Sequence, residues 1–174
     1  INKSFFPKIK LRALEDDYNI LVTLYKSERL DVLKVKHKGH EYERAAKIFP
    51  VMDEKLSKRQ LNEYKFLRVL DHANIIRIHD VYLEYNRCSF ILDHINGTDI
   101  FNAVKMIKPL TLGSYIFIIR QLLQVINYLH TLRIFHYNIC STNILALSSN
   151  SRKHGIIHSY MKFSEKDQDI HPIL

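Results

Sequence analysis

Cysteine is nearly absent from this 174-residue chain: Cys88 and Cys140 stand far apart, with no C-x-x-C spacing. Neither a disulfide framework nor a zinc site can be read from them, and the usage fits a reducing, cytoplasmic compartment. No apolar run approaches the ~20 residues that span a bilayer; the longest runs from Tyr115 to Ile119. No signal peptide opens the sequence, and no D-x-[DN]-x-[DN]-G loop occurs, so calcium binding of the EF-hand kind is not indicated. What is present is 47% apolar content and a formal charge of +8. The apolar share suffices for one ordinary core or two small lobes. The charge would suit an acidic partner, nucleic acid, phospholipid or protein. The lysines are scattered without an arginine-aromatic stripe, however, and read as a solvated basic surface.

Along the chain, residues 1–17 are polar and basic and read as an extension leading into a strand. Tyr18 to Leu24 is rich in β-formers, Asp31 to Lys36 alternates Val32, Leu33 and Val35 with basic residues, and Glu43 to Phe49 makes a third strand. Lys38-Gly39-His40 supplies a hairpin turn. Leu56, Leu61, Tyr64, Leu67 and Leu70 then fall at helical spacing between Lys55 and Leu70. Ile75 to Val81 and Cys88 to Leu92 read as two more strands joined by the polar Glu84-Tyr85-Asn86-Arg87 turn. Ile100 to Met106 is a short helix. A longer one runs from about Leu112 to Leu132, its only charge being Arg120 and its apolar residues covering nearly the full circumference. Such a helix wants neighbours on several sides. A partner surface, an oligomer or a longer natural chain would supply them.

Five stretches in order then carry a resemblance: Arg44-Ala45-Ala46-Lys47-Ile48; Asn62-Glu63-Tyr64; Leu70 to Ile76; Gly97-Thr98-Asp99-Ile100-Phe101; and Ile134-Phe135-His136-Tyr137-Asn138-Ile139-Cys140-Ser141-Thr142-Asn143. Residues from about 18 to 161 resemble the first part of a serine/threonine protein kinase, nearest the calcium/calmodulin-dependent group, in truncated and degenerate form. The resemblance implies an α+β fold: a five-stranded antiparallel small-lobe sheet with the family's C helix, and a partial, mainly helical large lobe. It divides the chain into an extension at 1–17, a small lobe at 18–93 and a partial large lobe at 94–174 that ends near the D-F-G equivalent.

Roles follow from the resemblance for matched positions. Lys47 would reach ATP phosphates and Glu63 would pair with it. Leu24, Val32, Ala45 and Leu145 would face the adenine, Leu92 would be the gatekeeper, Asp93 to Ile95 the hinge, and Asp99 a ribose contact. Asn143 matches a magnesium ligand. Other positions depart from the family. Tyr25, Ser27 and Leu30 stand where glycines cover the phosphates. Asn138 replaces the catalytic aspartate, and an amide cannot take up a proton near neutral pH. Tyr137 and Cys140 replace the loop arginine and lysine, and Ser159-Tyr160-Met161 stands for D-F-G, with Ser159 a poor substitute for a carboxylate on magnesium. The positions that would stack through a kinase interior, Leu67, Ile78, His136 and Tyr160, stay large and packable.

These departures favour a catalytically impaired, pseudokinase-like domain acting as a scaffold or allosteric partner, with ATP and magnesium bound only if some affinity remains. A protein partner on residues 112–132 fits that reading. The alternative is a divergent serine/threonine kinase working through Lys47, Glu63 and Asn143. A basic interaction module using Lys3, Lys8, Lys10, Lys34, Lys36 and Lys38 comes third.

Overall fold

The computed structural model describes residues 8–52, 55–106, 111–147 and 157–159. It divides into two compact units: residues 1–69 with 77–94, and residues 70–76 with 95–174.

The first unit is a six-stranded sheet and one helix. Its strands are β1 (Ile9–Lys10), β2 (Tyr18–Lys26), β3 (Asp31–His37), β4 (Glu43–Pro50), β5 (Ile78–Leu83) and β6 (Arg87–Asp93), in the order β1-β5-β6-β4-β3-β2. The five expected strands pair antiparallel throughout. The sixth, β1, is an addition: it lies parallel to β5, with Ile9 opposite Val81 and Lys10 opposite Tyr82.

The period of two sends alternate residues of each strand to opposite faces. On one face, Val35, Ala46, Tyr82 and Ile91 form a buried cluster with Leu14 and Tyr18. The polar amino-terminal stretch is therefore a strap over the sheet, held by a 3-10 turn at Leu14–Asp16. Its polar groups are answered locally. Lys10 lies 2.8 Å from Asp80 and Arg12 pairs with Asp17. Tyr18 donates to Asp80 at 2.8 Å, Tyr82 donates to Asp17, and Arg87 meets Glu15 at 2.6 Å. Burial and these carboxylate partners raise the pKa of both tyrosines.

The other face carries Lys47, Phe49, Phe90 and Leu92, with Phe49 and Phe90 edge to face at 4.8 Å. Helix α1 (Lys58–Leu67) buries Glu63, Tyr64, Phe66 and Leu67, the i, i+3, i+4 stripe that one face of a helix presents. It begins at a capping box: Ser57 accepts from the Gln60 amide and the Gln60 side chain accepts from the Ser57 amide, which satisfies two otherwise orphaned donors.

The second unit holds a short strand β7 (Gly97–Asp99), helices α2 (Ile100–Met106) and α3 (Leu112–Thr131), and strands β8 (Ile144–Leu147) and β9 (Ile157–Ser159). The sheet order is β7-β8-β9, antiparallel. A Cβ on Gly97 would sit 1.8 Å from the carbonyl oxygen of Ala146, so glycine is required where the two backbones close up.

Helix α3 buries a narrow stripe of Gln121, Val125 and Leu129. Residues 70–76 dock on it: Asn74 Nδ2 donates to Gln121 Oε1 at 2.9 Å, and the Tyr128 hydroxyl accepts from the Asp71 amide at 3.0 Å. Its end is a Schellman motif. Ile134 N bonds Leu129 O at 2.9 Å and Arg133 N bonds His130 O at 3.0 Å, with Arg133 at φ 57° where glycine is usual. Among the described residues no helix is long and apolar enough to cross a membrane, and both cysteines are unpaired.

Candidate functional site

Lys47 sits near the middle of β4, opposite Val32 on β3 and Phe90 on β6. A lysine at such a position must keep its charge against burial, and does so only with a carboxylate in contact. Glu63 supplies it. Lys47 Nζ lies 2.5 Å from Glu63 Oε1, with side-chain exposures of 8% and 6%. The sixteen-residue separation is bridged because the capping box starts α1 at Lys58, so that Glu63 in its second turn meets Lys47 on β4. Gln60 also reaches back to the Pro50 carbonyl at the end of that strand.

Val32, opposite Lys47, is half-buried, as is Ala45; Leu92, opposite Ala45, is buried at 2% exposure; Leu24 is exposed on edge strand β2. Asp93 accepts from the Arg77 amide at 3.0 Å and meets His79 Nε2 at 2.6 Å. Burial works to raise its pKa, but those two bonds outweigh it and hold the carboxyl below its ordinary range. Leu67 and Ile78 are both buried. Burial pushes the nearby Cys88 thiol up to about 12, which leaves it inert at neutral pH.

In the second unit, the segment after α3 turns sharply. His136 is buried, Tyr137 takes φ 55°, and Asn138 N donates to His136 O at 2.8 Å. A 3-10 turn at Ser141–Asn143 follows, and Asn143 Nδ2 donates to the Asn138 carbonyl at 3.0 Å. The two asparagines are thus joined through a side chain and a backbone group. With its NH2 so engaged, Asn143 keeps its Oδ1 as an acceptor. The β8–β9 register sets Ser159 directly across from Ile144, next in chain to Asn143. Leu145 is half-buried in β8, and Ile95 is half-buried ahead of β7. Tyr160 and Met161 lie outside the described residues.

Asp99 is engaged in holding α2. Its two carboxylate oxygens take the Asn102 amide at 3.0 Å and the Asn102 side chain at 2.6 Å. The Asn102 amide bond is the main cause of its lowered pKa. Of the lysines read as a possible basic module, Lys10, Lys34 and Lys36 face Asp80, Glu43 and Glu41 at 2.8, 2.7 and 2.6 Å. Their charge is answered within the sheet. Lys3 lies outside the described residues. No group of three or more metal-ligating side chains occurs among the described residues.

A lysine strand paired with a glutamate helix beside a five-stranded antiparallel sheet, and a histidine-to-asparagine turn between a long helix and a small sheet, define an α+β domain of the protein-kinase kind. A comparison with protein families agrees: the protein kinase domain matches residues 28–158, and the chain belongs to the protein kinase family. Among curated relatives, death-associated protein kinase 2 of Mus musculus is 31% identical over 147 residues, covering 81% of this chain and 40% of that protein. CBL-interacting protein kinase 21 of Oryza sativa subsp. japonica is 24% identical, covering 72% and 28%. Myosin light chain kinase 3 of Homo sapiens is 27% identical over 114 residues, covering 65% and 14%. The chain spans two fifths or less of the length of these relatives.

Sequence reasoning missed the cap role of Asp99, although an Asp three residues ahead of Asn102 at a helix start is a capping signal. It also missed the strap. Leu14 sits in a charged stretch with no periodicity to mark it.

Proposed function

We propose that the chain is a protein-kinase fold that binds and does not transfer phosphate: a pseudokinase-like scaffold or allosteric partner. One observation carries this reading. The turn from Ile134 to Asn143 contains no Asp or Glu, and Asn138 stands where the family places its proton acceptor. A neutral amide there can orient a hydroxyl but cannot accept its proton. The lost carboxylate at Ser159 points the same way, since a serine hydroxyl is a weak magnesium ligand.

Lys47 and Glu63 have the opposite character. A buried ion pair is strongly destabilising only when broken, so its retention serves the fold of the first unit whether or not phosphate is moved. Residues 18–93 and 94–174 then act as small and partial large lobes, the second offering apolar residues of α3 to a protein partner. Leu112, Ile116, Ile119 and Leu123 are exposed at 75%, 57%, 53% and 58%, more apolar surface on one helix than scattered surface residues account for.

Incubation with labelled ATP, magnesium and a serine/threonine peptide library tests the reading. The expected result is transfer no greater than that of the Lys47→Met variant. The second reading, a divergent serine/threonine kinase, is favoured by the intact Lys47–Glu63 contact; transfer that Lys47→Met abolishes would establish it.

A further inference from the structure

The two edges of the first sheet differ in what guards them. At one edge β5 is partly covered, since β1 pairs with it through Ile9 and Lys10. At the other, β2 stands last in the strand order, with β3 on one side only. An outer edge of this kind presents a row of unpaired N–H and C=O groups, and soluble proteins ordinarily blunt it by shortness, proline, charge or bulges. Strand β2 has nine residues, no proline, and no charge before Lys26 at its end. All but Tyr18 are exposed, with Ile20, Leu21, Val22, Leu24 and Tyr25 between 46% and 55%. Register shifts against β3, after Ile20 and after Thr23, are the one protection of that kind it carries.

What such an edge takes is set by its own pattern. Pairing with β3 sends Tyr18 and Lys26 to one face, opposite His37 and Asp31. It sends Asn19, Val22 and Tyr25 to the other, opposite Lys36, Lys34 and Val32. Opposed residues of an antiparallel pair share a face. A second β2 running antiparallel and centred on Val22 meets that condition: Tyr18 falls opposite Lys26, Asn19 opposite Tyr25, and Val22 opposite its own copy. The charges agree as well. Lys26 and Asp16 are exposed, and neither enters an ion pair among the described residues. In this register each Lys26 lies beside the 3-10 turn that carries the other copy's Asp16. An unrelated strand has no such built-in match.

We propose that β2 is the seam of a symmetric dimer, in which two copies join edge to edge, antiparallel about Val22, into one continuous sheet. The seam uses none of the α3 residues offered to a protein partner above, and it holds whether or not phosphate is transferred.

Sedimentation equilibrium of the whole chain carrying Cys140→Ser, which removes the exposed thiol, tests this. A monomer–dimer equilibrium with a Kd below about 100 μM is expected, and β2 amides should gain exchange protection as concentration rises. In that background Val22→Cys should form an intermolecular disulfide under mild oxidation, because the two-fold brings its Cα to about 5.5 Å or less from its mate. Lys26→Cys, over about 20 Å from its mate, should not. Val22→Glu sets two like charges at the centre and should weaken association by about tenfold or more. Asp16→Lys leaves the strand itself unaltered, should Val22→Glu fail to fold; it should weaken association by about threefold at low salt and by less at high salt. A chain that is monomeric at about 100 μM overturns the proposal. So does a dimer that Val22→Cys does not cross-link, or one that folded Val22→Glu leaves intact, as a dimer joined through α3 would be. A monomer whose β2 becomes protected only when an extended peptide is added assigns the edge to another protein, against the proposal.

Discussion

Lys47 with Glu63 in the first unit and Asn138 with Asn143 in the second are both polar pairs held by local secondary structure, and they differ in what each could do without its partner. The ammonium and carboxylate are each some 95% buried as residues, so either alone would be an uncompensated charge in a poor solvent for it. The asparagines are neutral and partly exposed, and the bond between them fixes a turn at modest energy. A single substitution can therefore reach the second pair at modest cost, whereas at the first it leaves a buried charge uncompensated.

The sharpest way to break this comparison is Glu63→Ala. It should destabilise by roughly 3–5 kcal/mol, because Lys47 is left buried and unpaired, and denaturant melting measures the loss. Lys47→Met combined with Glu63→Leu should recover most of it. If Glu63→Ala is instead near-neutral, the pair is not the anchor described.

A second substitution probes the other unit, where backbone approach takes the part that charge takes in the first. Gly97→Ala drives a methyl into the Ala146 carbonyl and should cost about 2–3 kcal/mol. Strand β8, which leads from Asn143, should lose amide protection in hydrogen exchange while β4 keeps its own. Equal loss in both would contradict the division into units.

A smaller effect of opposite sign is expected at Arg133. Arg133→Gly removes the left-handed strain at the end of α3 and should stabilise by about 1 kcal/mol, read as a rise in melting temperature. A fall would mean that the arginine side chain makes an interaction worth more than the strain.

The smallest effect concerns pH. Asp17 and Asp93 both have folded pKa values below their ordinary ones. For Asp17, burial opposes the shift and is outweighed by bonds from Tyr82 and Lys10. A depressed carboxylate stabilises fully above its unfolded value, about 3.9, and the contribution is lost as pH falls through the folded value. Melting temperature should therefore decline as pH is lowered from 5 toward 3, and Asp93→Asn should flatten part of that decline.

Much of the first unit was legible because its elements carry strong local signals. The alternation in Asp31 to Lys36 lies in β3, and of the helical spacing from Leu56 to Leu70 the residues Tyr64 and Leu67 are buried in α1 while Leu61 is exposed. Lys47 and Glu63 could be matched because a motif fixes their spacing, and their contact is the geometry it implies.

Other features left no local trace. The end of α3 was read close to where it falls, but not the left-handed conformation of Arg133 that closes it, since no glycine marks that position. The close approach at Gly97 depends on Ala146, nearly fifty residues away. Residues 70–76 follow α1 in the chain, yet Asn74 and Asp71 bind α3, a preference that no window around them encodes. The apolar circumference of α3 was legible, while its narrow buried stripe was set by which neighbours the fold supplies.

The most direct test of the central claim, that the charge pair persists in a fold whose transfer chemistry is gone, is phosphate transfer compared between the wild-type chain and Lys47→Met at matched folded concentration. The account predicts two indistinguishable rates at background. A wild-type rate clearly above that of Lys47→Met would contradict it.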